Sequence, residues 1–262
     1  MPENPKVLVA CPTYSGMSYC LHKFIERIKN LTYNNREVLI VDNSETEEFF
    51  KELENIKGIE VLRDNTKEKN KLFRLVSSRN KILDYATENG YDYILMLDQD
   101  VIPPINVIEE LLSCKKDLVS GLYSNYFKSS GDIKILPVAW KSLNEQEFSE
   151  IKSKINLPDS VKSQEDMPRH LTEEEVKSGE LMQVFHPSAG CLLMSRPVFT
   201  KVKYGAKISS EGKLIEGEDI YFIKQARENG FQPFCFTKVL CDHLVAGKYE
   251  NDGNSAKHPL YK

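Results

Sequence analysis

The chain has 262 residues, 40% hydrophobic and 28% charged, enough apolar material for one α/β domain with a full core. Its formal net charge of -4, with no dense cluster of Lys and Arg, gives none of the electrostatic footprint of a nucleic-acid-binding surface, and Lys67, Lys69 and Lys71 read as a solvated loop. No apolar run approaches the ~20 residues that cross a bilayer, and residues 1–6 hold no apolar signal core, so a cytoplasmic protein without a transmembrane segment is expected.

In chain order, residues 6–11 read as a buried strand, 12–16 as a tight loop, and the next stretch as a helix with Leu21, Phe24, Ile25 and Ile28 on its apolar face. Residues 37–42 repeat the strand and end in a carboxylate, with Asn43 and Ser44 expected to cap a helix that carries Phe49, Phe50 and Leu53. A third strand at 58–62 leads through a polar loop to a helix in which Leu72, Leu75, Val76, Arg79, Ile82, Leu83 and Ala86 keep helical spacing. Arg79 thus sits on or beside the apolar stripe. Residues 93–97 are an unbroken apolar run between Gly90 and the Pro103/Pro104 pair, the pattern of a central strand covered on both faces. Strand and helix alternate over the first hundred residues, as in a parallel sheet with right-handed crossovers.

That central run leads straight into Asp98 and Asp100. Strand alternation would put the two carboxylates on one face about 7 Å apart, with Gln99 pointing away. They lie beyond the carboxyl end of a strand, where open α/β sheets bind ligands. Two carboxylates so close repel unless a cation is present, and a hard divalent metal holding phosphate oxygens would relieve the repulsion. A solvated acidic turn fits the same spacing, so the context has to decide.

The second half reads as a helix at 105–114, then strands at 117–123 and 133–140 of a mixed, partly antiparallel region. Residues 141–180 are charged, with few apolar positions, and are expected to form an insertion, a lid or a mobile segment. Apolar runs resume at 181–185 and 191–194. Residues 215–230 read as a helix whose first turn holds Glu218 and Asp219 and whose end is marked by Gly230; two acids there are also what a helix dipole alone would favour. Closing strands are expected at 231–236 and 239–245, with His243 in the second, followed by a polar, mobile tail from Ala246. Cys11, Cys20, Cys114, Cys191, Cys235 and Cys241 include no CxxC pair and several lie in apolar runs, the pattern of reduced core residues rather than of a zinc site or disulfide framework.

The ordered set formed by Pro12, Thr13 and Tyr14, by Val41 to Ser44, by Ser78, Arg79 and Asn80, by Leu97 to Asp100, by Gly190 and the apolar run after it, by Gly217, Glu218 and Asp219 with Arg227, Gly230 and Phe231, and by His243 resembles family 2 glycosyltransferases of the GT-A fold. The resemblance covers nearly the whole chain. It implies a Rossmann-like α/β domain over residues 1–245, with a mostly parallel nucleotide-sugar-binding half (1–104), a smaller mixed or antiparallel acceptor-side half (105–245) containing the polar insertion 141–180, and a mobile tail at 246–262. It further implies a nucleotide-sugar donor, a UDP-sugar before a GDP-sugar, a divalent cation (Mn2+ or Mg2+), and inverting hexosyl transfer to a glycan, lipid or protein acceptor. Carried over by position, Thr13 and Asp42 would touch the nucleotide, with Asp42 accepting from the base. Arg79 would approach the base or diphosphate, Asp98 the ribose or a metal-bound water, and Asp100 the metal, with His243 as a further ligand. Asp219 would be the general base, with Glu218 beside it.

Each of these residues has a plainer reading: Thr13 as a loop cap, Asp42 as a turn residue, Arg79 as the partner of a surface carboxylate, His243 as a satisfied core or loop histidine. The chain departs from the family's commonest pattern in following Asp42 with Asn43 and Ser44 rather than a second Asp before Gly-Ser, and in the 141–180 insertion. A sugar-nucleotide pyrophosphorylase would carry a basic Gly-rich loop after the first strand, yet residues 12–17 hold no Lys or Arg. A haloacid-dehalogenase phosphatase would carry its DxD after the first strand, not the fourth. A non-catalytic nucleotide-sugar-binding protein would not need Asp219.

Overall fold

The computed structural model describes residues 4–129, 132–157, 161–164 and 167–244; the tail expected from Ala246 lies outside them. Strands β1 (Val7–Thr13), β2 (Arg36–Asp42), β3 (Glu60–Arg63) and β4 (Tyr93–Leu97) alternate with helices α1 (Ser18–Lys29), α2 (Glu48–Glu54) and α3 (Lys71–Glu88). There follow β5 (Val101–Ile102), α4 (Val107–Ser113), β6 (Leu118–Leu122), the paired β7 (Ser124–Ser129) and β8 (Asp132–Pro137), β9 (Trp140–Ser142), α5 (Glu145–Lys154), β10 (Pro168–His170) and α6 (Glu173–Lys177). The chain continues through β11 (Leu181–Gln183), β12 (Cys191–Ser195), α7 (Arg196–Lys201), a hairpin of β13 (Lys207–Ile208) and β14 (Leu214–Glu216), α8 (Glu218–Glu228), β15 (Pro233–Leu240) and β16 (Asp242–His243).

The main sheet runs in the order β11-β15-β6-β12-β4-β1-β2-β3. β1 lies parallel to β2 and β4, β2 to β3, and β15 to β6, while β12 is antiparallel to both β4 and β6. This is the mostly parallel α/β sheet that the resemblance implies, with β12 joining the two halves. Strand alternation divides the core into two layers. Val7, Val9, Cys11, Tyr93, Leu95 and Leu97 face one side with Phe24, Ile28, Leu53 and Leu111 of α1, α2 and α4. Leu8, Ala10, Ile94 and Met96 face the other, against Ile82, Leu83, Phe199 and Phe222 of α3, α7 and α8. Every β4 side chain is buried, so both faces of this strand are covered, as the unbroken apolar run requires.

Three local expectations are corrected. Asn43 and Ser44 do not cap α2, which starts at Glu48; the Asn43 amide goes to Ser78 and the Ser44 hydroxyl to Asp42. Residues 214–216 form β14, and the following helix starts only at Glu218. One strand, β15, spans the break expected after residue 236, and the short β16 carries His243. Within 141–180, the described parts are folded: α5 and α6 both begin with capping boxes, and Arg169 ties them together through Glu147 (2.9 Å) and Glu175 (2.7 Å). All six cysteines are free thiols. Among the described residues, no helix is long and apolar enough to cross a membrane.

Candidate active site

β4 ends at Leu97, and the three residues after it form a turn closed by Val101 N donating to Asp98 O (3.0 Å). The expectation that Asp98 and Asp100 lie on one face by strand alternation is therefore replaced by turn geometry. Gln99, at 1% exposed, points into the protein and fastens the loop after β1, accepting from Thr13 Oγ1 and donating to Met17 O (2.6 Å). Past the turn, β5 pairs with β16 in a register that sets Val101 opposite His243. His243 Nε2 thereby comes to 3.5 Å from Asp100 Oδ2, while Nδ1 faces Ser124 O at 3.1 Å. Tyr19 OH completes the corner, 3.3 Å from Asp100 Oδ2 and donating to Leu244 O (2.8 Å).

Gly190, just before β12, closes the back of the turn by accepting from Asp98 N at 3.0 Å. A Cβ there would lie 2.9 Å from Asp98 Oδ2, Tyr123 OH and Val101 Cγ2. Gly190→Ala is expected to destabilise by about 1–3 kcal/mol, the usual cost of overpacking. Because one of the displaced groups is Asp98, calorimetry should also show weakened nucleotide binding in protein that melts cooperatively.

Arg79, 2% exposed in the middle of α3, donates from Nη2 to Asp98 Oδ1 (2.7 Å) and lies 3.7 Å from Glu218 Oε1. Its guanidinium lies 5.3 Å from the centre of the Tyr204 ring, which stacks on Phe222 at 4.1 Å. Burial works against the charge, yet Asp98, Tyr204 and Glu218 together raise its pKa above the ordinary value, so Arg79 is a fixed cation among carboxylates rather than the partner of a surface acid. Among the described residues, its Nε and Nη1 have no hydrogen-bond partner. Burial raises the pKa of Glu218; Asp219 and Asp98 push the same way and Arg79 opposes them. Asp219 stands beside it in the first turn of α8, with Oδ1 accepting from Ile220 N (2.7 Å).

Thr13, Asn43, Arg79, Asp98, Asp100 and Glu218 line a cleft of about 340 Å³, within the size range of small-molecule sites, while Asp219 and His243 lie beside it and are not part of its lining. Asp42 is not part of the lining: it is fully buried, with Oδ1 accepting from Ser44 N (3.0 Å) and Oδ2 paired to Arg63. Sequence reasoning missed both Arg63, which the β2–β3 register sets opposite Asp42, and His186, a buried imidazole whose proton affinity is lowered by burial and partly restored by the nearby Asp219. Among the described residues, no group of three or more His, Cys, Asp or Glu side chains is arranged to hold a metal ion. Asp100 and His243 form a two-donor corner instead. They lie 3.5 Å apart, and a carboxylate oxygen beside an imidazole nitrogen is a donor pair that a divalent ion can take, with its remaining positions left to water and phosphate oxygens.

The sequence model of Glycosyl transferase family 2 matches residues 9–199. The chain belongs to this family. As a family 2 glycosyltransferase it shares its fold with the crystal structure of GalNAc-T7 with UDP, GalNAc and Mn2+, at 12% identity and TM-score 0.59, over 93% of this chain and 44% of that one. It is also similar to the mannosyltransferase PcManGT from Pyrobaculum calidifontis in complex with GDP-Man and Mn2+, at 13% identity and TM-score 0.51, over 95% and 59%. The chain thus spans about half the length of these structures. No curated protein matches it in sequence. The matched stretch of the glycosyltransferase family ends before α8 and does not reach Glu218, Asp219 or His243.

Proposed function

We propose that this family 2 glycosyltransferase moves a hexosyl group with inversion from a nucleotide-sugar, a UDP-sugar in preference to a GDP-sugar, to the hydroxyl of a glycan, lipid or protein acceptor, using a divalent cation. The observation that carries the reading is Arg79, sealed between Asp98 at the end of β4 and Glu218 at the start of α8. One buried cation thereby joins the cleft floor to the helix turn that holds Asp219. Asp219 takes the acceptor hydroxyl's proton as that oxygen bonds to the sugar C1, while the bond from C1 to the diphosphate breaks and its electron pair leaves with the diphosphate. The sugar passes through an oxocarbenium-like state, as in glycoside hydrolysis. Asp100 and His243, with Asp98 beside them, would hold the cation, whose charge offsets that of the departing diphosphate. Arg79 adds fixed positive charge beneath the same place. Attack from the side opposite the leaving group inverts the anomeric centre.

Calorimetry with UDP tests the donor half of this proposal. Affinity is expected to depend on Mn2+, to collapse with EDTA, and to be lost in Asp100→Ala. His243→Ala should weaken metal affinity by roughly 10- to 100-fold. Equal UDP affinity with and without EDTA would remove the cation from the proposal, and an unchanged metal titration would leave His243 structural.

A further inference from the structure

His243 owes its place beside Asp100 to short elements. The strand that carries it, β16, is two residues long and makes two pairs, Asp242 with Ile102 and His243 with Val101. Just past it, the backbone of Leu244 is held at both ends: its N donates to Asp100 O (2.7 Å), and its O accepts from Tyr19 OH (2.8 Å). The Leu244 side chain is buried in the same core layer as Phe24 of α1. Tyr19 stands in the first turn of α1, a twelve-residue helix fixed by the buried face that holds Cys20, Leu21, Phe24 and Ile28. This one phenol therefore ties the strand of His243 to a rigid helix near the other end of the chain.

The phenol faces two groups that can only accept, Leu244 O at 2.8 Å and the carboxylate oxygen Oδ2 of Asp100 at 3.3 Å. It has one proton to give. The shorter contact lies within the usual O–H···O range and the longer one outside it, so the proton goes to Leu244 and Asp100 Oδ2 keeps its lone pairs. Burial and the Asp100 charge both push the phenol's pKa up, so that proton stays on the oxygen. We infer that Tyr19 is a positioning residue of the cation corner: by holding Leu244 O it seats β16 and sets His243 Nε2 beside Asp100 before a cation arrives. This rests on the reading of Asp100 and His243 as cation donors. A two-residue pairing without that bond opens more often, and each opening carries off one of the two donors, so a cation would first have to close it.

The test is titration with Mn2+ alone, the free ion followed by electron paramagnetic resonance, on the wild type, Tyr19→Phe, His243→Ala and the double variant. The Tyr19 ring is 40% exposed and stays in Tyr19→Phe, so only the hydroxyl is lost. Tyr19→Phe should lower Mn2+ affinity about 10-fold, the lower end of what the loss of an outer partner costs a metal site. In the His243→Ala background the same change should have no effect, because its action runs through the imidazole. Amide hydrogen exchange at residues 242–244, read by mass spectrometry, should be faster in Tyr19→Phe than in the wild type without metal and should return to the wild-type rate at saturating Mn2+. Unchanged Mn2+ affinity or unchanged exchange in Tyr19→Phe would overturn the role of Tyr19 while leaving the corner standing. An equal loss of affinity in both backgrounds would overturn it as well, by placing the action of the phenol on Asp100 itself. Failure of the wild type to bind Mn2+ would overturn the corner and this inference together.

Discussion

Asp219→Asn is expected to lower turnover by about 10² to 10⁴, the range lost with a general base, while nucleoside diphosphate affinity and melting temperature stay close to wild type. The asparagine carbonyl can keep the bond from Ile220 N that Asp219 Oδ1 accepts, so the first turn of α8 keeps its shape and only the proton acceptor is lost. Glu218 is no substitute. It is buried against Arg79, and its carboxylate is committed to the same cation as Asp98. In the proposed reading Asp219, next to it in the first turn of α8, is the carboxylate that receives the acceptor's proton. In the proposed in-line attack the acceptor oxygen arrives from the side opposite the diphosphate, so NMR of the first-formed product should show the anomeric configuration opposite to that of the donor. A product with the donor's configuration would rule out Asp219 as an in-line base, and unchanged turnover in Asp219→Asn would remove it from the chemistry altogether.

The features legible in the sequence are those with a period. The run in β4 and the alternating strands and helices before it predict a central strand and a mostly parallel sheet, and the spacing in α3 puts Arg79 on or beside the apolar stripe, where it is buried. What escaped depends on contacts between segments far apart in sequence. Nothing local says that Asp42 and Arg63 are opposite one another in two parallel strands, because register is set by packing of whole elements. The approach of His243 to Asp100 was expected only through the resemblance; in the fold it is made by two strands of two residues each, too short to carry a pattern. The turn at 98–100 reads as a strand continuation because an apolar run does not announce where its last residue lies. Asn43 reads as a helix cap, since Asn and Ser ahead of an apolar helix have the same composition whether their side chains turn to that helix or, as the Asn43 amide does, to Ser78 of another.

Arg79→Met should be among the most damaging single changes to the fold as well as to the site. Methionine can occupy much of the space, but it leaves Glu218, and the side of Asp98 that faced the guanidinium, without their cation. Removing one member of a buried ion pair costs about 3–5 kcal/mol. At roughly 2–4 °C per kcal/mol for a domain of this size, the melting temperature should fall by roughly 6–20 °C. The loss should depend on pH, with a sign that follows from Glu218. Burial, Asp219 and Asp98 already raise its pKa in the folded protein, and Arg79 is the side chain that pulls it back, so the substitution raises it further. Ionised Glu218 then destabilises the fold fully at pH values above that raised folded pKa, and the cost disappears as pH falls below the unfolded value of about 4. The difference in melting temperature between wild type and Arg79→Met should therefore be largest near neutral pH and should narrow on acidification. Adding Glu218→Gln to Arg79→Met should recover part of the loss at neutral pH by removing the stranded charge, without restoring transfer. A deficit that is independent of pH, or unrelieved in the double variant, would mean that Arg79 stabilises the fold through its packing against Tyr204 rather than through its charge.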